Sequence, residues 1–226
     1  MRPLIRAVAT LAATAALVTG CGSGDDWSQP RPMPAPVGTL GPGFTDPTAP
    51  PTPEGTVRPR PGSWDGVHPP EGFRVVLLTA GSDAPTHALV AAVRSWADEE
   101  KVDLRTVDAG TAHDLVPSIT RALDMGPDLI VSAGNNLIDP LALVTASHLA
   151  QQFLVVGAEL AEPTHNVTAV DWAGASFRGE GLGMSSTYDA ASFTADRCAA
   201  AVRAGVAAVL SDLTGIVVWL DDGTAP

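Results

Sequence analysis

One stretch decides the fold of this chain: Asp128-Leu-Ile-Val-Ser-Ala-Gly-Asn-Asn136. Its first part, residues 128–133, is a short and largely apolar run that contains β-branched side chains. Gly126-Pro127 precedes the run and Gly134-Asn135-Asn136 follows it, so turn-forming residues bound it on both sides. Short apolar runs between turns are typical of strands that are buried on both faces, as in a parallel sheet. The stretch therefore predicts an interior strand of such a sheet.

Helical patterns flank this strand at about residues 111–125 and 140–151, and further strand-like runs lie beyond them. Alternation of strands and helices predicts βαβ units. We therefore expect an α/β fold with a doubly wound, mostly parallel sheet of five to six strands in flavodoxin-like order. In that order the third strand lies beside the first. The predicted strands are residues 74–79, 102–107, 128–133, 153–157, 167–171 and 215–220.

The loops that follow the predicted strands carry the polar side chains that could bind a ligand. Ligands of open parallel sheets bind outside the carboxyl ends of the strands, where the winding direction reverses. Hydroxyl, amide and carboxylate groups beside an aromatic ring suit a polar neutral ligand such as a sugar or nucleoside. Each residue alone is also a common cap or turn residue, and Asp83 favours the N-cap of a helix beginning near Pro85. The candidate ligand-binding residues are Ser82, Asp83, Asn135, Asn136, Glu159, Asp171 and Trp172.

The first 20 residues have the features of a secretory signal peptide. Arg2 and Arg6 supply positive charge, and the apolar run 7–18 is too short to span a membrane. Val18-Thr19-Gly20-Cys21 resembles a bacterial lipobox, which predicts lipidation of Cys21 and a domain on the outer face of the cell membrane. The alternative is an ordinary secretory signal followed by an incidental cysteine.

Residues 21–72 are predicted to be a disordered linker. Residues 22–72 contain 13 of the 20 prolines and show no apolar periodicity. An extended Pro-rich chain of this length could span on the order of 150 Å. The isolated aromatics Trp27, Phe44 and Trp64 receive no role in this interpretation. The folded α/β domain is accordingly expected to comprise residues 73–222.

Composition and motifs exclude several classes of function. The formal net charge of −12 disfavours binding to nucleic acid. The sequence contains no dinucleotide fingerprint, no P-loop and no G-x-S-x-G nucleophile elbow, and its five histidines are scattered. We therefore expect no cofactor, no metal and no catalytic residues. Residues 173–191 lack periodicity, and so long a loop in a compact domain is usually functional or mobile.

Four motifs carry a resemblance to a known family: Arg74-Val-Val-Leu-Leu, Asp128-Leu-Ile-Val-Ser-Ala-Gly, Gln152-Phe-Leu-Val-Val-Gly, and Asn166-Val-Thr-Ala-Val with Ser176-Phe177. Together they resemble the BMP/PnrA-like basic membrane lipoproteins. These are substrate-binding proteins of ABC importers with the type I periplasmic-binding fold. The resemblance implies a nucleoside or related solute, an ABC permease as partner, and an acidic ligand residue at Glu159. It covers about residues 73–178, which implies one lobe instead of the family's two.

Three functions follow as hypotheses. The first is a lipid-anchored solute-binding protein without enzymatic activity. The second is a single-lobe accessory or sensory lipoprotein that binds a protein partner through the sheet edge or the 173–191 loop, and an apolar rim on the last strand at residues 216–219 would favour it. The third is a hydrolase that uses two carboxylates within about 10 Å of each other across an open cleft.

Overall fold

A parallel β-sheet with helices on both faces forms the centre of the molecule. The computed structural model describes residues 27, 29, 31–175 and 177–221. The strands are β1 (Val37–Gly38), β2 (Thr56–Val57), β3 (Val67–His68), β4 (Arg74–Ala80), β5 (Asp103–Ala109), β6 (Leu129–Ala133), β7 (Gln152–Val156), β8 (Val167–Trp172) and β9 (Val217–Leu220). The α-helices are α1 (Ala84–Glu100), α2 (Leu115–Asp124), α3 (Ile138–Val144) and α4 (Ala195–Leu210).

The order of the strands confirms the predicted fold class. The main sheet has the order β2-β9-β8-β7-β6-β4-β5, and every neighbouring pair in it is parallel. The deciding strand β6 lies between β4 and β7, as the flavodoxin-like order requires. The sheet has seven strands instead of five or six because β2, from the Pro-rich segment, adds to it beyond β9.

Helices cover both faces of this sheet, which explains its apolar strands. On one face α1 and α4 pack against each other and against β4, β7 and β8. On the other face α2 packs against β4 and β5, and α3 packs against α2 and contributes to the same core cluster. Gly205 lets α4 approach the sheet closely. A Cβ at this position would lie 2.6 Å from side-chain carbons of both Leu154 and Val170. The core therefore depends on a small residue at this point of α4.

The Pro-rich segment differs from its prediction as a disordered linker. Residues 31–72 lie against the α/β domain, and the backbone carbonyl of Gly55 accepts a hydrogen bond from the amide of Val217 at 3.0 Å. Phe44 and Trp64 are buried in the core on the face of α1 and α4, at 1% and 4% exposure. The segment contains few apolar residues, but burial of these two aromatic side chains stabilises it and so offsets the conformational entropy that the segment loses on folding. The segment is thus part of the fold and does not extend away from it.

The apolar residues 216–219, at and just before β9, were expected to form an exposed rim, but the structure buries most of them. Strand β2 covers the outer side of β9, and Ile216, Val217 and Val218 are buried. Trp219 is half-buried beneath the guanidinium of Arg58, which lies 5.1 Å from its ring centroid. Residues 216–219 therefore do not offer an apolar surface to a partner.

Three predictions concern residues outside the described part of the chain: the signal peptide 1–20, the lipidated Cys21 and the end of the domain at residue 222. Within the described part, no helix combines the length and the apolar character that a membrane crossing needs.

Candidate functional site

The reversal of winding places two polar loops side by side at the carboxyl edge of the sheet. From β4 the chain crosses to β5 on one side, whereas from β6 it crosses to β7 on the other. Asp83 caps α1, and its carboxylate accepts hydrogen bonds from the Thr86 amide at 2.9 Å and the Thr86 hydroxyl at 2.8 Å. Asn136 Nδ2 donates to the carbonyl of Ala80 at 2.7 Å and so ties the two loops together. These local bonds fix the entrance of the switch-point crevice.

A cavity of about 220 Å³ lies between these loops. Asn135 lines this cavity, and its amide oxygen Oδ1 is buried and has no hydrogen-bond partner among the described residues. A buried acceptor without a donor costs free energy, on the order of 1–3 kcal/mol, and a bound hydroxyl or amine would recover it. The cavity is lined by Asp83, Pro85, Thr86, Gly134, Asn135, Asn136, Tyr188 and Phe193.

The charges around this cavity favour a neutral or cationic ligand. Burial raises the pKa of Asp83, but the hydrogen bonds from Thr86 and Asn136 lower it by more. The pKa of Asp83 therefore lies below its ordinary value. Burial and the negative charge of Asp83 raise the pKa of Tyr188, so its phenol stays protonated. At neutral pH the residues that line the cavity therefore carry one carboxylate, one phenol that can donate, and one buried amide oxygen without a partner among the described residues.

Glu159 and Asp171 lie at the same sheet edge but form a separate cluster with Arg178. Arg178 Nε lies 3.0 Å from Glu159 Oε1, and burial raises the pKa of Glu159 against the opposing charge of this arginine. Asp171 is fully buried, and its Oδ1 accepts from the Trp172 amide at 2.9 Å. Its Oδ2 has no partner in the described part of the chain. Burial, and next the negative charge of Glu159, raise the pKa of Asp171 to about 8.

Trp172 lies at the predicted edge but is not available to a ligand. It is fully buried, its Nε1 donates to Ser192 Oγ at 3.0 Å, and its ring meets that of Phe193 edge to face at 5.0 Å. Successive side chains of a strand point to opposite faces, so Trp172 and Asp171 cannot line one surface. Its ring instead supports Phe193, which lines the cavity. The expected stacking role of Trp172 therefore does not fit the structure.

The structure thus divides the seven candidate residues. Asp83, Asn135 and Asn136 share one cavity, whereas Ser82 is exposed on the loop beside them. Sequence reasoning missed the residues that the long segment after β8 contributes to this edge. These are Arg178, Tyr188 and Phe193. The unusual length of that segment was the only signal for them in the sequence.

A larger groove of about 540 Å³ lies in the Pro-rich segment. Two of its polar side chains have partners, since Asp46 accepts hydrogen bonds from Thr48 and Arg58 pairs with Asp221, and none of its lining residues has a buried polar side-chain atom without a partner. It therefore lacks the unsatisfied buried acceptor that marks the cavity at the switch point.

Comparison with known proteins gives partial structural matches. No family profile matches the sequence, and no curated protein matches it. An ABC transporter solute-binding protein from Aeropyrum pernix K1 is 20% identical over 45% of this chain and 29% of its own, with a TM-score of 0.40. One from Conexibacter woesei DSM 14684 is 18% identical over 44% of this chain and 35% of its own, with a TM-score of 0.37.

A transcriptional activator of the comK gene from Bacillus halodurans is 15% identical over 44% of this chain and 35% of its own, with a TM-score of 0.38. This chain thus spans about a third of the length of these three proteins.

Proposed function

We propose that this chain is a lipid-anchored extracytoplasmic protein that binds a small, polar, uncharged solute in the cavity between the ends of β4 and β6. The observation that carries the proposal is the buried Oδ1 of Asn135, which has no partner among the described residues and belongs to a residue that lines the cavity. A hydroxyl or amine of a solute would donate to this oxygen. The location agrees with the general rule that open α/β sheets bind ligands at the switch point.

The other groups of the cavity suit a ligand with several hydroxyls and one flat or apolar face. A carboxylate oxygen can accept more than one hydrogen bond, so Asp83 retains capacity while it caps α1. Tyr188 and Phe193 provide aromatic surface within the same cavity. A nucleoside or a related solute combines these features. The resemblance to BMP-type proteins supports the same class and adds an ABC permease as the partner.

The small size of the cavity suggests that this chain contacts only one side of its ligand. Pockets that enclose a drug-sized ligand usually measure about 300–1,000 Å³, and this cavity of about 220 Å³ is smaller. One lobe would hold a nucleoside on one side only. We therefore propose weak binding by the isolated chain and tighter binding where a second protein closes the open side.

A protein partner is also a candidate function in its own right, because the segment after β8, which contributes Tyr188 to the cavity, exposes large apolar side chains. Leu182, Met184 and Tyr188 belong to the segment after β8, and their exposed fractions are 53%, 44% and 40%. Large apolar side chains that cluster on a surface are typical of protein-binding sites. The hydrolase hypothesis has less support, since Asp171 is enclosed and Glu159 is paired with Arg178.

A thermal-shift screen tests the solute proposal. Residues 22–226, without the lipid, are heated with nucleosides, nucleobases and neutral sugars, and the solutions are checked afterwards for hydrolysis products. We expect a nucleoside to raise the melting temperature of the wild type and to have little effect on Asn135→Ala. Gln151→Ala is the matched control, because its amide donates to a backbone carbonyl at the opposite edge of the sheet. Equal shifts in all three proteins would refute the site.

The lipid anchor has a separate test. Cys21→Ala should release the protein from membranes or block its processing, because the cysteine sulfur carries the lipid. Membrane fractions that retain the variant as fully as the wild type would exclude the anchor without affecting the solute site.

A further inference from the structure

Trp27 and Arg31, which lie a few residues after Cys21 in the sequence, contact the amino edge of the sheet. Trp27 is buried, and its Nε1 donates to Asp103 Oδ2 at 2.6 Å. The guanidinium of Arg105 lies 4.0 Å from the centroid of its ring, and that of Arg74 lies 6.0 Å away. Arg74 and Asp103 are the first residues of β4 and β5. The indole is therefore fixed where these two strands begin.

A second contact holds the chain four residues further on. Arg31 Nε donates to Asp128 Oδ1 at 3.0 Å, and its Nη2 donates to the carbonyl of Gly72 at 2.8 Å and pairs with Asp128 Oδ2. Asp128 also accepts from the amide of Arg74 at 2.8 Å. Asp128 directly precedes β6, so this ion pair too lies at the amino edge. A paired arginine held by two hydrogen-bonding partners is more firmly placed than a simple surface pair.

Chain length then limits how far the edge can lie from a lipid on Cys21. Five residues lie between Cys21 and Trp27 in the sequence, and the six Cα-to-Cα steps that join them span at most about 20 Å. This reach is far shorter than the tether expected from 50 Pro-rich residues. We propose that Trp27 and Arg31 form an orientation clamp, which holds the amino edge of the sheet against the membrane and points the carboxyl edge away from it.

The clamp deepens the proposed function, since it rests on the lipid anchor and defines which partner the site can meet. The seven residues of β4 separate the two edges by about 20 Å. The cavity with Asn135 and the exposed Leu182 and Met184 would then face outward. A partner that closes this cavity must therefore extend beyond the bilayer. A permease confined to the membrane would face the opposite edge.

Energy transfer to labelled lipids tests the clamp on the full lipidated chain. The protein is reconstituted into phosphatidylcholine vesicles that contain rhodamine-labelled phosphatidylethanolamine. One variant, Glu71→Cys, carries a donor dye at the amino edge, and the other, Gly110→Cys, carries it after β5 at the carboxyl edge. Both positions are exposed, and a Cβ at Gly110 meets no atom within 4 Å. Cys198 is buried, so the dye reacts with the introduced thiol.

We expect higher transfer efficiency from position 71 than from position 110. The double variant Trp27→Ala/Arg31→Ala should abolish the difference, because strand β1, which pairs with β3, then becomes the next attachment and the freed tether reaches up to about 55 Å. The matched control is Trp219→Ala/Arg58→Ala, which removes a similar tryptophan, arginine and aspartate contact at the far side of the sheet. This control should keep the difference.

Each other outcome overturns a distinct part of the reasoning. Equal transfer from the two positions in otherwise wild-type protein overturns the clamp while leaving the anchor intact. Higher transfer from position 110 reverses the orientation. A lipid-processed chain that does not associate with the vesicles overturns the anchor, and the clamp with it, without bearing on the solute site.

Discussion

The substitution Asp171→Asn should make the protein more stable, and increasingly so as the pH rises. Asp171 is fully buried and its pKa lies near 8, whereas the ordinary value is 3.8. Between these two values the folded protein holds a proton that the unfolded chain releases. Stability is therefore lost as the pH rises through this window, by linkage. Asparagine has a similar shape, keeps the oxygen that accepts from the Trp172 amide, and does not titrate.

The size of the effect follows from the difference of about four units between the two pKa values. Each unit corresponds to about 1.4 kcal/mol, so the full window amounts to about 6 kcal/mol. From pH 5 to pH 8 the gain of the variant over the wild type should grow by about 3–4 kcal/mol. Water that reaches the ionised carboxylate reduces the cost, which makes this figure an upper limit.

Urea unfolding followed by tryptophan fluorescence at pH 5, 6, 7 and 8 measures this gain directly. Asp98→Asn, on the exposed side of α1, is the matched control, because it makes the same change of side chain at a position in contact with solvent. A constant difference between wild type and Asp171→Asn across this range would falsify the buried, protonated state of Asp171.

Three further substitutions test the packing. Gly205→Ala should destabilise the fold by about 1–3 kcal/mol, since its Cβ would collide with the sheet, while Gly110→Ala should be near neutral in the same urea titration. Phe44→Ala should lower the unfolding free energy by about 3–5 kcal/mol and expose residues 31–72 to protease. Unchanged stability would instead support the prediction that the Pro-rich segment is a disordered linker. Trp172→Ala should cost a similar amount by leaving a cavity, and a loss of solute binding at unchanged stability would contradict its structural role.

The sequence predicted the sheet well because parallel strands leave a strong local signal. Burial on both faces makes strands such as β6 and β7 apolar throughout, and the turn residues around them mark their ends. The start of α1 was equally visible, since the Asp83 cap and Pro85 in the first turn act within a few residues. Fold class and strand order therefore followed from short-range patterns and the rules of chain connection.

The Pro-rich segment was misjudged because composition describes local structure and not packing. Its prolines do prevent long helices and strands, and its regular elements are only two residues long. The fold of this segment instead depends on a few aromatics that reach the core over long sequence distances. Trp27, Phe44 and Trp64 were visible as isolated large apolar residues, and they were the signal that composition alone did not weigh.

The candidate site was predicted in part for a similar reason. Topology correctly brings Asp83 and Asn135 together, because the ends of β4 and β6 adjoin. Which side chains share a surface depends on strand alternation, and this sends Trp172 into the core. Tyr188 and Phe193 come from a segment without periodicity, so no pattern in the sequence could place them at the cavity.

The central claim, a polar solute in the cavity between β4 and β6, can be tested at a single ring. Tyr188 is the one tyrosine of the 226-residue chain and lines the cavity. Tyrosine-selective isotope labelling therefore yields one set of ring signals in NMR spectra, and their positions can be followed during titration with a nucleoside. The account predicts saturable shifts in the wild type that are lost in Asn135→Ala. Unchanged Tyr188 signals with every solute that raises the melting temperature would contradict it.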